Sequence, residues 1–183
     1  MASTAPAPAA VIVMAAGKGT RMRSATPKVL HTIGGRSLLA HAVAAARGLH
    51  PDHLVVVVRH ERDAVVAHLA EVAPDAVAAD QDEVPGTGRA VACGLASLPA
   101  DLTGPVVVTS GDVPLLDTAT LRDLLAQHAR RGDAVTLLTT VLDDPTGYGR
   151  VVREDDGPDS PVSAIVEQRD ASPEQRAITE INA

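Results

Sequence analysis

Val11-Ile12-Val13-Met14-Ala15-Ala16-Gly17-Lys18-Gly19-Thr20-Arg21-Met22, followed closely by Pro27-Lys28, is the most informative stretch of this 183-residue chain. A short apolar run without polar alternation reads as a buried strand. The run breaks into two glycines, with Lys18 and Arg21 beside them and Lys28 just beyond. Glycine lets backbone N–H groups converge and the cations add charge, so the loop reads as a polyphosphate site. A plain strand-to-helix turn would account for Gly17 and Gly19 but not for the three cations. A P-loop needs four residues between its first glycine and Gly-Lys, and the third glycine of a dinucleotide fingerprint would fall on Met22, so neither motif is present.

Charge is distributed unevenly. The formal net charge is −7, yet the first acidic residue is Asp52. Residues 1–51 hold Lys18, Arg21, Arg23, Lys28, Arg36 and Arg47 with no carboxylate, whereas the remainder holds ten basic against 23 acidic residues. A local cationic site on an anionic body suits a small anionic ligand and disfavours a nucleic-acid backbone. Only Lys18 and Lys28 are lysine among the 16 basic residues, and both flank the glycine loop. A compact ammonium is the point charge that phosphate contacts often use.

Bulk composition narrows the class further. With no Trp, no Phe and one Tyr, the core must be built from Val, Leu, Ile and Ala, and little aromatic surface is left for stacking nucleic-acid bases. Cys93 is the sole cysteine, so no internal disulfide can form, in keeping with a reducing cytoplasm. It reads as a small buried hydrophobe in a helix. Residues 1–8 read as a disordered Ala/Pro tail. The apolar run behind them is too short for a signal segment or a membrane span.

Strand and helix patterns alternate along residues 9–183, which read as one domain. Strands are expected at Ala10–Met14, Leu54–Val58, near Ala76–Ala79, Val106–Thr109, Ala134–Val141, Val151–Arg153 and Val162–Gln168. Helices are expected at Leu38–Arg47, with Ser37 as N-cap and Gly48 as its stop, and at Arg62–Val72. A third is expected from Thr87, as its cap, to Leu98, and a fourth over Ala119–Arg131, capped by Asp117. Such alternation predicts an α/β fold, a mostly parallel sheet with helices on both faces. Ligands bind such sheets beyond the carboxyl ends of the strands, which places Ala15–Lys28, Asp80–Gly88 and Ser110–Leu116 on one rim. Thr179-Glu180-Ile181-Asn182 reads as the start of one more strand, as in a domain incomplete at its carboxyl end.

Ser110-Gly111-Asp112-Val113-Pro114-Leu115 follows an apolar strand. An aspartate there can hold Mg²⁺ on a substrate phosphate, or it can simply make an Asx turn before Pro114. Gln81 with Gly86-Thr87-Gly88 offers an amide for the edge of a pyrimidine and glycines for its flat face, or else is a loop and helix cap. The seven histidines have no metal spacing, and His50, His53, His60 and His68 are expected at helix ends or on solvent faces. No Ser/His/Asp arrangement stands out.

Together these segments resemble the uridylyltransferase (pyrophosphorylase) domain of the bacterial bifunctional N-acetylglucosamine-1-phosphate uridyltransferase / glucosamine-1-phosphate N-acetyltransferase family. The resemblance rests on Ala15–Met22 with Pro27-Lys28-Val29-Leu30-His31, Gly86-Thr87-Gly88 and Gly111-Asp112-Val113-Pro114-Leu115. Pro145-Thr146-Gly147-Tyr148-Gly149-Arg150-Val151, Ile165-Val166-Glu167 and Glu180-Ile181-Asn182 complete it, and these are the more family-specific segments. It implies a Rossmann-like, three-layer nucleotide-diphospho-sugar transferase fold. The implied activity is Mg²⁺-dependent transfer of UMP from UTP to N-acetylglucosamine 1-phosphate, giving UDP-N-acetylglucosamine and pyrophosphate for peptidoglycan synthesis in the cytoplasm. Another sugar- or alditol-phosphate nucleotidyltransferase, or an inactive nucleotide-binding fragment, is the alternative.

By the same resemblance Arg21 and Lys28 are the catalytic cations. The nucleotide would be bound by Ala15, Ala16, Gly17, Lys18, Gly19, Lys28, Gln81, Gly86 and Thr87, the last three reading uracil. Asp112 would hold Mg²⁺, and Gly149, Glu167 and Asn182 would bind the sugar. No nucleic acid or membrane partner is implied. The family's catalytic domain runs on past Asn182 and includes a second metal ligand, an asparagine, which this sequence lacks. The left-handed β-helix that carries the family's acetyltransferase and trimer contacts is likewise not in this sequence.

Overall fold

A computed structural model describes residues 7–19, 22–155, 157 and 160–182. The strands are β1 (Ala10–Met14), β2 (Thr32–Ile33), β3 (Arg36–Ser37), β4 (His53–Val58), β5 (Val77–Asp80), β6 (Val106–Ser110), β7 (Thr139–Val141), β8 (Arg150–Arg153), β9 (Val162–Val166) and β10 (Glu180–Asn182). The helices are α1 (Leu38–Arg47), α2 (Arg62–Val72), α3 (Thr87–Ala96), α4 (Thr118–Arg131) and the single turn α5 (Pro173–Arg176). The chain forms two compact units that divide between Arg131 and Gly132.

In the first unit β5-β4-β1-β6 form a wholly parallel sheet, with Val11 beside Leu54 on one neighbour and Val107 on the other. The central strands β1 and β4 are Val-, Ile- and Leu-rich and almost entirely buried, because helices cover both faces. Alternate side chains part into two cores. Val11, Val13, Val56 and Val58 pack with residues of α1, α2 and α4, whereas Ile12, Val55 and Val57 pack with Ala90 of α3. This is a helix–sheet–helix sandwich. Gly94 is needed where α3 meets the sheet, since a Cβ there would stand 2.9 Å from Ile12 Cγ2 and 3.0 Å from Val57 Cγ2.

Local signals set the helix ends, with corrections. Ser37 caps α1 as expected, its Oγ accepting the Ala40 N–H at 2.9 Å. Gly48 ends α1 in the right-handed region, not the left-handed one, so turn geometry is not what calls for glycine there. A Cβ on Gly48 would lie 2.3 Å from Thr118 Oγ1. Thr118 donates to Ala45 O at 3.0 Å, tying α4 to α1. Thr87 is not a cap: Gly86, at φ +119°, occupies that position, and α3 ends at Ala96 rather than Leu98. Pro8 is buried and its carbonyl accepts the Asp52 N–H, so the packed chain begins before residue 9.

The second unit is an antiparallel sheet in the order β7-β10-β8-β9. The strand expected over Ala134–Val141 shrinks to Thr139–Val141, the part that pairs with β10. β9 likewise stops at Val166 rather than Gln168. The apolar Val135 is 73% exposed, so it contributes nothing to a core. No helix among the described residues is long and apolar enough to cross a membrane.

Candidate functional site

Because β1, β4, β5 and β6 run parallel, their carboxyl ends share one edge of the sheet. The loops Ala15–Lys28, Asp80–Gly88 and Ser110–Leu116 leave from that edge. Ala15 and Ala16 remain part of the packed sheet, buried, and the Ala15 N–H is bonded to Val57 O at 2.8 Å. Gly17 and Lys18 are exposed, and Gly19 takes φ +62°, a left-handed conformation that glycine adopts freely. A Cβ on Gly19 would lie 2.6 Å from the Cβ of Lys28, so the loop closes directly over that lysine. Thr20 and Arg21 lie outside the described residues.

Lys28 opens a 3-10 turn, Lys28–Leu30, and its ammonium pairs with Asp112 Oδ2. Asp112 is placed by the turn after β6, where the buried Gly111 donates its N–H to Met14 O at 2.8 Å. A Cβ on Gly111 would be 3.2 Å from that carbonyl, so the glycine allows the two strand ends to meet. The Ser110 hydroxyl donates to the other carboxylate oxygen of Asp112. Burial pushes the Asp112 carboxyl up, but hydrogen bonds from Lys28 and Ser110 outweigh it and hold the group below the ordinary carboxylate value. Asp112 is therefore ionised at neutral pH.

An ionised, half-buried carboxylate beside an ammonium fits one ligand of a hard divalent cation. Among the described residues no group of three or more His, Cys, Asp or Glu could hold a metal. Mg²⁺, which keeps several waters and takes phosphate oxygens, needs only one or two carboxylates from protein. The donor set fits Mg²⁺ carried with a nucleotide, not a closed protein cage.

The loop after β5 lies two strands from β1, roughly 10 Å at ordinary strand spacing. Gln81 uses its amide nitrogen within the loop, donating to Val84 O at 2.9 Å and Gly86 O at 3.3 Å. Gly86 and Thr87 are exposed beside it. Three arginines brace this loop. Arg62 donates to Asp80 at 2.6 and 3.2 Å, Arg89 bonds both oxygens of Asp82, and Arg59 donates to Glu83 O at 2.9 Å. The Arg89 hydrogen bond holds the Asp82 carboxyl below its usual value. Sequence reasoning missed these braces: two arginines meet the carboxylates of Asp80 and Asp82 and the third meets the backbone carbonyl of Glu83, and no motif marks any of the three.

In the second unit Gly149, Glu167 and Asn182 come together. A Cβ on the buried Gly149 would stand 3.1 Å from Asn182 Oδ1 and 3.7 Å from Glu167 Oε1. A bare backbone with an amide and a carboxylate over it is a surface that can bond hydroxyl groups. Arg150, 1% exposed, holds the approach: it donates to Tyr148 O and, at 2.6 Å, to Gln168 Oε1, beside Glu167. Its Nε has no partner among the described residues. Arg153 forks onto Glu180 at 2.8 and 2.6 Å, and Thr139 donates to the same carboxylate at 2.6 Å.

Three layers around a parallel sheet, with a glycine loop and a Lys–Asp pair at adjoining strand ends, define a Rossmann-like nucleotide-binding fold. The chain belongs to the MobA-like NTP transferase domain family, whose profile matches residues 11–171. It is 61% identical over 182 residues to the "Bifunctional protein GlmU" of Kineococcus radiotolerans, covering 99% of this chain and 36% of that protein. It is 58% identical over 178 residues to the GlmU of Pseudarthrobacter chlorophenolicus, covering 96% of this chain and 36% of that protein. The chain thus spans about a third of the length of these relatives. Among solved structures, a UDP-glucose pyrophosphorylase complexed with UDP-glucose superposes with a TM-score of 0.71 over 94% of this chain and 73% of its own, at 15% identity. That likeness bears on fold alone.

Proposed function

We propose that this chain performs uridylyl transfer: UMP moves from UTP to N-acetylglucosamine 1-phosphate, and pyrophosphate leaves, in the cytoplasm for peptidoglycan precursors. The observation that carries the reading is the Lys28–Asp112 pair beneath Gly19, in a chain 61% identical to a GlmU protein. Exposed Gly17 and Lys18, with Gly19, would cradle the triphosphate through backbone N–H groups and the Lys18 charge. Lys28 would turn from Asp112 to the phosphates and neutralise charge that grows on them as the bond to pyrophosphate breaks. Arg21 would add a third cation. The Gln81–Thr87 loop, held by its arginines, would read the uracil edge.

Mg²⁺, when bound, would be held by Asp112 with phosphate oxygens and water, and would offset phosphate charge. Gly149, Glu167 and Asn182 would bond the sugar hydroxyls. The sugar phosphate's own oxygen attacks the α-phosphorus in line, so positioning and charge supply the catalysis and no side chain need form a covalent intermediate. That agrees with a site made of Lys, Asp and glycine amides.

Pyrophosphate release from UTP, N-acetylglucosamine 1-phosphate and Mg²⁺ tests the proposal, with CTP, dTTP and GTP run in parallel. Release with UTP well above the others is expected. No release, equal release from all four nucleotides, or release that ignores the sugar phosphate would contradict it.

A further inference from the structure

Four of the six cations in the acid-free stretch flank the glycine loop; Arg36 and Arg47 do not, and they belong instead to a different site. Both line one cavity of about 620 Å³ formed by residues of the Lys28–Leu30 turn, the β2–β3 hairpin, α1 and α2, His68 of α2 among them. Its apolar part includes Leu30, Val43 and Val72. The volume lies within the range of small-molecule sites, as does the mix of apolar wall and few polar groups. Among the described residues no carboxylate lines it, in a chain with 23 acidic residues.

The polar groups are held in place. Arg36 donates to Ala40 O at 3.1 Å, leaving most of its fork free. The His68 ring is fixed by Ser37 Oγ, 2.7 Å from Nε2, a pairing 31 residues apart that overturns its expected place on a solvent face. Arg47 makes one contact with Asp75, at 3.2 Å, and Glu71 stands 3.6 Å from His68 Nδ1; both acids are well exposed and outside the lining. Arg36, in β3, reaches Ala40 O in the first turn of α1 with its guanidinium, and Arg47 ends that helix seven residues further on, roughly 10 Å by helical rise. A cation therefore stands towards each end of an apolar trough.

We propose that this cavity binds an elongated organic dianion, apolar in its middle and acidic at both ends. Arg36 takes one acid group, Arg47 the other, and Val43 and Val72 take the chain between. The inference is independent of the uridylyl-transfer reading, because the cavity shares no lining residue with Gly17–Gly19, Lys28 or Asp112.

The test is titration of azelate, a nine-carbon dicarboxylate, into the methyl-labelled chain, followed by the valine and leucine methyl resonances in NMR. Nonanoate and 1,9-nonanediol serve as the one-acid and no-acid probes. Saturable shifts at Val43, Val72 and Leu30 are expected, about tenfold weaker for each acid group removed. Arg36→Gln and Arg47→Gln, both at exposed positions, should each weaken azelate about tenfold. Ala44→Met, which fills the cavity without changing charge, should abolish the shifts. Diol binding equal to azelate, insensitivity to either arginine, shifts centred outside the cavity, or no saturation by about 10 mM would overturn the proposal.

Discussion

The two units keep their structure by different means. In the first, a run such as Leu54–Val58 is buried on both sides and the interior is almost wholly Val, Leu, Ile and Ala. In the second, the buried apolar residues among those described are Val151, Ala171 and Ile181, and a buried arginine lies beside them. Hydrophobic burial is non-directional and tolerates imprecise placement, whereas a guanidinium network works only with its acceptors in position. The first unit should therefore fail when its interior is made polar, and the second when a hydrogen-bonding partner is removed.

The largest effect is expected from Val56→Asp in the first unit. Val56 is fully buried in the central strand β4, so a carboxylate there has neither water nor partner. A loss of about 4 kcal/mol or more is expected in urea denaturation followed by circular dichroism. A loss below about 1 kcal/mol would mean the sheet interior is reached by water.

Arg150→Ala comes next. It leaves a cavity and strips Tyr148 O and Gln168 Oε1 of their donor, so the second unit should lose about 3 kcal/mol. Protection factors in β8 and β9 should fall while those in β4 hold. Equal loss in β4 and β8 would show that the contrast between the units is false.

The smallest effect is a pH dependence confined to the second unit's polar network. Hydrogen bonding from Arg153 holds the Glu180 carboxyl below its ordinary value of 4.5, against an upward push from burial. A depressed carboxyl stabilises fully above its unfolded pKa and loses that contribution as pH falls through the folded one. Protection factors in β10 should thus be level down to about pH 4.5 and decline below it, by about 1 kcal/mol for one largely buried pair. Glu180→Gln should remove the decline. A decline already under way at pH 6 would assign it to another group.

How much was legible in the sequence follows the same division. β1, β4 and α1 could be read because their patterns report burial on nearby elements, and Ser37 marks a helix start by its own chemistry. Val135 and Leu137 misled: they are apolar but exposed, and what makes a strand of Thr139–Val141 is pairing with Glu180–Asn182, some forty residues away. At the rim, Gly19, Lys28 and Asp112 could be chosen by residue type, and the structure joins them, while Gly17 stands in open space. Arg62 on Asp80 and His68 on Ser37 could not, since their partners lie 18 and 31 residues away and nothing local marks the pairing. Lys28 and Asp112, although they pair with each other across the fold, were each marked by the glycine motif beside them, and no such motif marks Arg62 or His68.

The direct test of the triphosphate cradle is titration of UTP with Mg²⁺ into the ¹⁵N-labelled chain and its Lys28→Ala variant. The largest amide shifts are expected at Gly17, Lys18, Gly19, Lys28 and Gly111, with binding at least tenfold weaker in the variant, about 1.4 kcal/mol. Shifts centred away from those amides, or equal affinity with and without the Lys28 ammonium, would contradict it.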